Sequence, residues 1–254
     1  MPLDPLPESL LPFLSPYLPS DHPDRPFVTL TYAQSLDARI AAEPGVQTKL
    51  SHSETKTMTH YLRSKHDAIL VGVGTALADD PKLNCRFPGS TTTTARIRPV
   101  IVDPRRRWKY AGSTLRKLVE SGDALAPIVV VDASTSVGTH GGDEDVRLIR
   151  EGGGELLAAR ILDDHGSRRD NSWEVILALL HAYGIKSVMV EGGAMVINEL
   201  LCSSSAIVDS LIVTVAPVFL GQRGVLVSPR EQVELRNVDW WKGIVDSVMC
   251  ARIK

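Results

Sequence analysis

The chain has 254 residues, 43 % of them apolar and 23 % charged, enough to bury one large α/β core or two small ones. A formal net charge of −2 with mixed signs excludes a global basic field for nucleic acid, so any phosphate recognition falls to local clusters. Three scattered cysteines, Cys85, Cys202 and Cys250, argue against a disulfide framework or structural zinc and for a reducing compartment, and no apolar run reaches the ~20 residues of a membrane span.

Prolines recur at positions 2, 5, 7, 12, 16, 19, 23 and 26, which forbids a secretory h-region and predicts an extended arm over residues 1–26. Its leucines and Phe13 suit packing on the domain or a partner subunit, or a mobile tail. The folded domain then runs over 27–254. Phe27 to Ala33 reads as its first strand, and Ser35-Leu36-Asp37 leaves it in a turn. A helix is expected after Ser51 or Ser53, with Glu54 in capping reach and Met58, Tyr61 and Leu62 on one face. Ala68 to Thr75 reads as a strand ending at glycines. Further strands are expected at 98–102, 128–131, 146–149, 188–190, 207–215 and 247–253. Helices fit 114–120, 173–183, closed by Gly184, and 194–201. Continuous rather than alternating apolarity predicts a sheet covered on both faces, within one doubly covered α/β unit. Polar excursions are expected at 88–96, 138–145 and 163–172.

The chemistry concentrates where two apolar runs stop at glycine: Val71-Gly72-Val73-Gly74-Thr75 continuing to Asp79-Asp80-Pro81, and Val188-Met189-Val190 continuing to Glu191-Gly192-Gly193. Glycine lets backbone N–H groups approach a phosphate without an intervening Cβ, and two such ends suggest a long anionic ligand. The first lacks the third glycine of a dinucleotide fingerprint. Thr75 can offer its hydroxyl to a phosphate or ribose and Asp79 can accept from a ribose hydroxyl, against an Asx-turn before Pro81. Gly192, Gly193 and the following helix start form an anion cradle. Glu191 would repel an anion there, so its partner is a donor-rich substrate or a nearby Lys or Arg; the alternative is a carboxylate serving the helix dipole.

Arg63, Arg86 and Lys49 flank the first crevice, and arginine forks suit a phosphate monoester, although any one alone is more often a solvated surface cation. Arg105-Arg106-Arg107 could hold a 2′-phosphate if a dinucleotide binds, or form an ordinary basic turn. His52, His60, His66, His140, His165 and His181 show no metal or deaminase spacing and read as structural; no metal site and no G-x-S-x-G nucleophile is expected.

Thr31-Tyr32-Ala33-Gln34-Ser35-Leu36-Asp37-Ala38-Arg39-Ile40-Ala41, Leu62-Arg63, Val71 to Leu83 with its G-T-x-L-x-D-D-P core, and Val190-Glu191-Gly192-Gly193 together resemble the 2,5-diamino-6-ribosylamino-4(3H)-pyrimidinone 5′-phosphate reductases of fungi and archaea. These are similar to the reductase half of the bacterial riboflavin deaminase-reductase. The resemblance, over roughly residues 27–254, implies a dihydrofolate-reductase-like three-layer α/β/α fold with a mixed, mostly parallel central sheet, a cytoplasmic homodimer, and NADPH-dependent reduction of the ribosylamino side chain to its ribitylamino form in riboflavin biosynthesis. It implies cofactor roles for Lys49, Gly74, Thr75, Asp79, Gly192, Gly193, Ala194, Met195 and Val196. It implies substrate roles for Arg63, Leu83, Arg86 and Glu191, the arginines on the 5′-phosphate. Glu191 and Asp37 are the candidate proton donors, with bound water as a third. The alternatives are a dihydrofolate-reductase-type enzyme for another pteridine or pyrimidine, and a non-catalytic NADP(H)-binding regulator. Three departures stand out, one being the loop from Pro88 to Arg96, which looks inserted. The bacterial deaminase zinc motif is absent, and Ala38 stands where family members often carry glycine.

Overall fold

The computed structural model describes residues 3–88, 96–135, 143–202 and 207–254. Its elements are α1 (Leu10–Leu14), β1 (Phe27–Gln34), β2 (Arg39–Ala41), α2 (Ser53–Arg63), β3 (Ala68–Gly72), α3 (Val73–Asp79), β4 (Arg98–Val102), α4 (Thr114–Glu120) and β5 (Ile128–Asp132). They continue with α5 (Glu144–Glu151), β6 (Glu155–Ala159), α6 (Ser172–Ala182), β7 (Ser187–Gly192), α7 (Ala194–Leu201), β8 (Ser210–Val215), β9 (Val225–Leu226), β10 (Leu235–Lys242) and β11 (Ser247–Ile253).

Nine strands form one sheet in the order β10-β11-β8-β1-β7-β3-β4-β5-β6. The run from β8 to β6 is parallel, whereas β11 and β10 are added antiparallel. This is the mixed, mostly parallel sheet that the resemblance implies. Side chains alternate across it, as the pleat requires. Leu30, Ala68, Leu70, Val100 and Val130 pack with Trp173, Ile176 and Leu180 of α6 and Ile197 and Leu200 of α7. Ile69, Val71, Ile101 and Val131 face the opposite way, onto Leu115 of α4 and Ile149 of α5. On that same side Met189, Ile212 and Cys250 meet Met58, Tyr61 and Leu62 of α2. Both faces are therefore covered, which is why the strands read as unbroken apolar runs.

Several elements differ from the sequence expectation. Residues 146–149 belong to helix α5, and the outermost strand is β6. The Asp143 carboxylate caps α5 by accepting from the Val146 N–H, and Val146 and Ile149, three residues apart, share its buried face. Val73 to Thr75 leave the strand for helix α3, whose N-cap is Gly72. The strand expected from Ile207 begins at Ser210, and β2, β9 and β10 were unforeseen; β10 alternates buried and exposed only weakly, with Trp241 its one buried residue. The arm is not wholly extended: α1 places Leu10 and Leu14, followed by Tyr17, among Met58, Leu62 and Trp241. Pro12 is tolerated because it lies in the first turn, where its missing N–H has no intrahelical acceptor. Helix α2 starts at an N-cap, His52, that makes no side-chain bond; Glu54 reaches across to the Ile244 N–H instead. Gly184, with φ of 97°, closes α6 as expected. Most of the excursions at 88–96 and 138–145 lie outside the described residues, and 163–171 is a loop, bridged at Leu162 and Arg168, that runs into α6 at Ser172.

Candidate active site

Parallel strands direct all their carboxyl ends to one margin of the sheet, where ligands of open α/β folds collect. Here β7 and β3 are adjacent, and β4 follows β3 with Gly72 opposite Val102. The two glycine corners, 120 residues apart in sequence, therefore meet. A Cβ built on Gly193 would stand 3.0 Å from Thr75 Oγ1, and one on Gly72 would stand 2.9 Å from Val196 Cγ2 of α7. Gly193 adopts φ of 52° and ψ of 151°, a backbone region open essentially to glycine alone.

Neither α3 nor α7 carries a side-chain cap, whereas α4 and α5, away from this corner, are capped by Ser113 and Asp143. The first α7 amide to find a carbonyl is that of Ile197, bonded to Gly193. The N–H groups of Ala194, Met195 and Val196 remain as donors at the positive end of the helix. Such a cradle, kept open by glycine, fits a pyrophosphate-bearing nicotinamide cofactor. Beyond it, Asp79 ends α3 half-buried, and burial holds its carboxyl above the usual range. Lys49 is exposed on the loop before α2.

The basic cluster beyond β4 is partly spoken for. Arg105 donates to the Gly166 carbonyl, Arg106 pairs with Asp143, and Arg107 is exposed. The Asp103 carboxylate, buried at the root of this turn, accepts from the Trp108 N–H.

Glu191 sits at a β-bulge: Leu70 pairs with Val190 and Val71 with Gly192, so the intervening residue is extra and its side chain is re-aimed. It meets Arg63 from the end of α2 in a two-point ion pair, Nε to Oε1 at 2.7 Å and Nη2 to Oε2 at 2.5 Å. The Arg63 Nη1 donates to the Asn84 carbonyl at 2.7 Å. Burial alone would lower the Arg63 pKa, but the Glu191 carboxylate more than offsets it and the guanidinium is held above its ordinary value. Of the two partners open to Glu191 from sequence, the arginine is the one found. Three of the five Arg63 N–H donors are engaged, which leaves one on Nη1 and one on Nη2 for a ligand.

The segment 82–86 lies against α2 and borders a cavity of about 340 Å³ lined by Lys82, Asn84, Cys85, Arg86, Arg96 and Asp123, among others. Three cations thus surround one space. Leu83 is buried in the core at φ of 47°, so only its backbone can serve a ligand. The buried Asn84 Oδ1 has no hydrogen-bond partner. His60, grouped with the structural histidines on sequence, contacts Arg86 through both ring nitrogens. Its i, i+3 spacing to Arg63 on one helix was the signal available.

Asp37 is a latch. It accepts from the Ser35 hydroxyl at 2.5 Å and from the backbone N–H groups of Leu220 and Gly221 at 3.0 and 2.7 Å. The Ser35 bond first, then the backbone bonds, lower its pKa to about 2, so it is ionised at neutral pH and a poor proton donor. Ala38 beside it has φ of 57°, the left-handed conformation for which glycine is the unstrained choice.

Fold and site together define a three-layer α/β oxidoreductase type, with a glycine corner suited to a nucleotide and a cationic cavity bordered by the 82–86 segment. The chain belongs to the RibD C-terminal domain family, which matches residues 26–249. It is 52 % identical over 253 residues to the 2,5-diamino-6-ribosylamino-4(3H)-pyrimidinone 5′-phosphate reductase of Debaryomyces hansenii, covering 100 % of both chains. The enzyme of that name from Saccharomyces cerevisiae is 45 % identical, with 100 % of this chain and 99 % of the relative covered. Among solved structures, the Saccharomyces riboflavin biosynthesis reductase Rib7 superposes with a TM-score of 0.79 at 41 % identity, over 97 % of this chain and 100 % of that one. Acinetobacter baumannii RibD shares the fold at a TM-score of 0.68 and 22 % identity, over 91 % of this chain and 59 % of that one.

Proposed function

We propose that the protein reduces the ribosylamino side chain of 2,5-diamino-6-ribosylamino-4(3H)-pyrimidinone 5′-phosphate to the ribitylamino form, with NADPH as hydride donor. The reading is carried by one observation: the Thr75 and Gly193 corners adjoin on neighbouring strands, beside a Glu191–Arg63 pair, in a chain about half identical to reductases of that name. When bound, the nicotinamide supplies hydride to C1′ of the opened, imine form of the sugar.

The protein's own work is positioning and exclusion of water. Gly192, Gly193 and the amides of Ala194, Met195 and Val196 receive the pyrophosphate, with Gly74, Thr75, Asp79 and Lys49 completing the cofactor side. Arg107, exposed one strand over, suits the 2′-phosphate of NADPH. Glu191, fixed by Arg63, accepts from the amino groups of the pyrimidine, and the Leu83 backbone borders it. Arg86, with Lys82 and Arg96, takes the 5′-phosphate, the task first given jointly to Arg63. Asp37 is ionised and Glu191 is held as a carboxylate by Arg63, so in this reading bound water supplies the proton for the sugar nitrogen. A cytoplasmic homodimer is part of the proposal. Exposed apolar residues such as Phe219 at 72 % and Ile244 at 78 % suit a partner subunit, and no helix among the described residues is long and apolar enough to cross a membrane.

The test is anaerobic mixing of enzyme, NADPH and the ribosylaminopyrimidine phosphate, read as loss of reduced-nicotinamide absorbance. Loss with this compound and a much slower reaction with its dephosphorylated form are expected. Binding of NADPH without any loss would convert the reading to that of a regulator, and equal turnover of unphosphorylated pteridines would make it a different reductase.

A further inference from the structure

Asn84 is 7 % exposed and stands between α2 and the turn after α4. Its backbone is fastened to α2: the carbonyl accepts from Arg63 Nη1 at 2.7 Å, and the next residue, Cys85, donates from Sγ to the His60 carbonyl at 3.1 Å. Leu83 before it holds φ of 47°, a left-handed conformation that a branched side chain keeps only where its surroundings fix it. The Asn84 side chain is far less constrained. Its Nδ2 donates to the Asp123 carbonyl at a long 3.4 Å, and its Oδ1 is buried without a hydrogen-bond partner.

A buried amide carbonyl without a donor costs about 1–3 kcal/mol, and leucine, of nearly the same shape, would avoid that cost. Ile97, Leu118 and Ala124 border the same cavity, so an apolar residue would find neighbours there. The acceptor brings no structural advantage where it stands. It does bring a chemical one. The cations on the cavity wall, Lys82, Arg86 and Arg96, are donors only and suit an anion, whereas a hydroxyl needs an acceptor for its proton. Asp123 carries a carboxylate, but its Oδ2 accepts from Ser121, and its charge would repel a phosphate. The Asn84 amide is a neutral acceptor, able to take a hydroxyl without opposing the anion. A turn about its Cβ–Cγ bond, a broad torsion, presents Oδ1 to the cavity and gives up only the 3.4 Å contact. At about 340 Å³ the space has the size of a small-ligand site rather than that of a lone phosphate.

We propose that Asn84 is a specificity-determining residue: its Oδ1 accepts from a hydroxyl of a sugar chain whose phosphate lies among the cavity's cations, so that the site selects a polyhydroxy phosphate monoester over an alkyl one. The inference rests on the reading that this cavity receives the substrate's phosphate. It adds how the sugar between phosphate and pyrimidine is recognised. A site built around a buried acceptor rejects an analogue that lacks the hydroxyl, because the acceptor is then left without a partner.

The test is calorimetric titration of the parent enzyme, Asn84→Leu and Asn84→Asp with two probes: ribose 5-phosphate, and pentyl phosphate, which has five carbons and no hydroxyl. The readout is the ratio of the two dissociation constants, which cancels whatever the variants do to phosphate binding in general. Asn84→Leu should shift that ratio about five- to tenfold toward pentyl phosphate, the worth of one hydrogen bond. Asn84→Asp, which keeps an acceptor and adds a charge, should weaken both probes and hold the ratio within about twofold. The urea midpoint of Asn84→Leu should equal or exceed the parent's, since the change removes an acceptor that the fold leaves without a partner. Asn84→Ala makes the same comparison of probes if the leucine variant does not fold. An unchanged ratio in the variants without an acceptor, a shift of equal size in Asn84→Asp, or no binding of either probe by the parent overturns the proposal. A parent enzyme that fails to reduce the pyrimidine yet shows the Asn84-dependent ratio sinks the proposed substrate and leaves the role of Asn84 standing.

Discussion

The Arg63–Glu191 pair invites the most demanding experiment. Its side chains are only 14 % and 17 % exposed, and the two charge-assisted bonds are joined by a third from Arg63 to the Asn84 carbonyl. Removing one partner leaves the other charge buried and uncompensated, so Glu191→Leu or Arg63→Met alone should cost about 3–5 kcal/mol. The double replacement removes both charges and substitutes apolar volume. It should cost much less than the sum, giving a coupling energy of about 2–4 kcal/mol. Glu191→Gln keeps one carbonyl oxygen and so one of the two bonds, and should cost about 1.5–3 kcal/mol, the worth of a hydrogen bond to a charged group. Urea unfolding of the four proteins, followed by tryptophan fluorescence, measures the cycle. Steady-state kinetics on Glu191→Gln completes it: turnover should fall while NADPH binding stays nearly intact, because the glycine corner does not depend on the carboxylate. A coupling below about 0.5 kcal/mol would refute the claim that the pair is held as a buried unit. Equal loss of turnover and NADPH binding would take Glu191 off the substrate side.

Two further outcomes follow from backbone and titration. Ala38 has φ of 57°, where an L residue with a Cβ is strained by about 1–2 kcal/mol while glycine carries about 0.5–1 kcal/mol of extra chain entropy, so Ala38→Gly should stabilise by about 0.5–1 kcal/mol. A lowered urea midpoint in that variant would contradict the strain. His66 is buried, with Nδ1 donating to the Leu62 carbonyl and Nε2 accepting from Thr29, and burial lowers its pKa to about 4; His60 lies lower still, at about 3. The unfolded chain, with ordinary histidines near pH 6.5, binds protons that the fold refuses. Their contribution is complete above about pH 6.5 and is lost as the pH falls toward 4, by about 2 kcal/mol for each histidine between pH 7 and pH 5. Unfolding midpoints that do not move across this window would show that these imidazoles are not held neutral.

Much of the architecture was legible because its signals are local. Unbroken apolar strands such as 68–72 and 128–132 announce a sheet covered on both sides, and Gly184 needs only its own backbone to close a helix. Residues 146–149 misled for the same reason. A four-residue apolar stretch fits a strand or one face of a helix equally well, and the Asp143 cap that decides between them is a hydrogen bond, not a pattern. The elements β2 and β9 are too short and too dependent on each other to leave any periodic trace.

The candidate site divides along the same line. The glycines, Thr75, Glu191 and the arginines were visible as residue types suited to phosphate and to donor-rich ligands, since that chemistry belongs to the side chain or to the lack of one. Their pairings were decided only when the chain folded. Gly193 comes against Thr75 because β7 inserts beside β3. Glu191 turns to Arg63 because a bulge re-aims it, and Arg86 comes to border the cavity beside the 82–86 segment. Asp37 shows the limit most clearly: a carboxylate in a turn reads as a possible acid, but three donors converging from its own loop and from 220–221 make it a fixed anion. Sequence sets what each group can donate or accept; which partner lies within 3 Å is a property of strand order and helix docking, fixed by burial over the whole sheet.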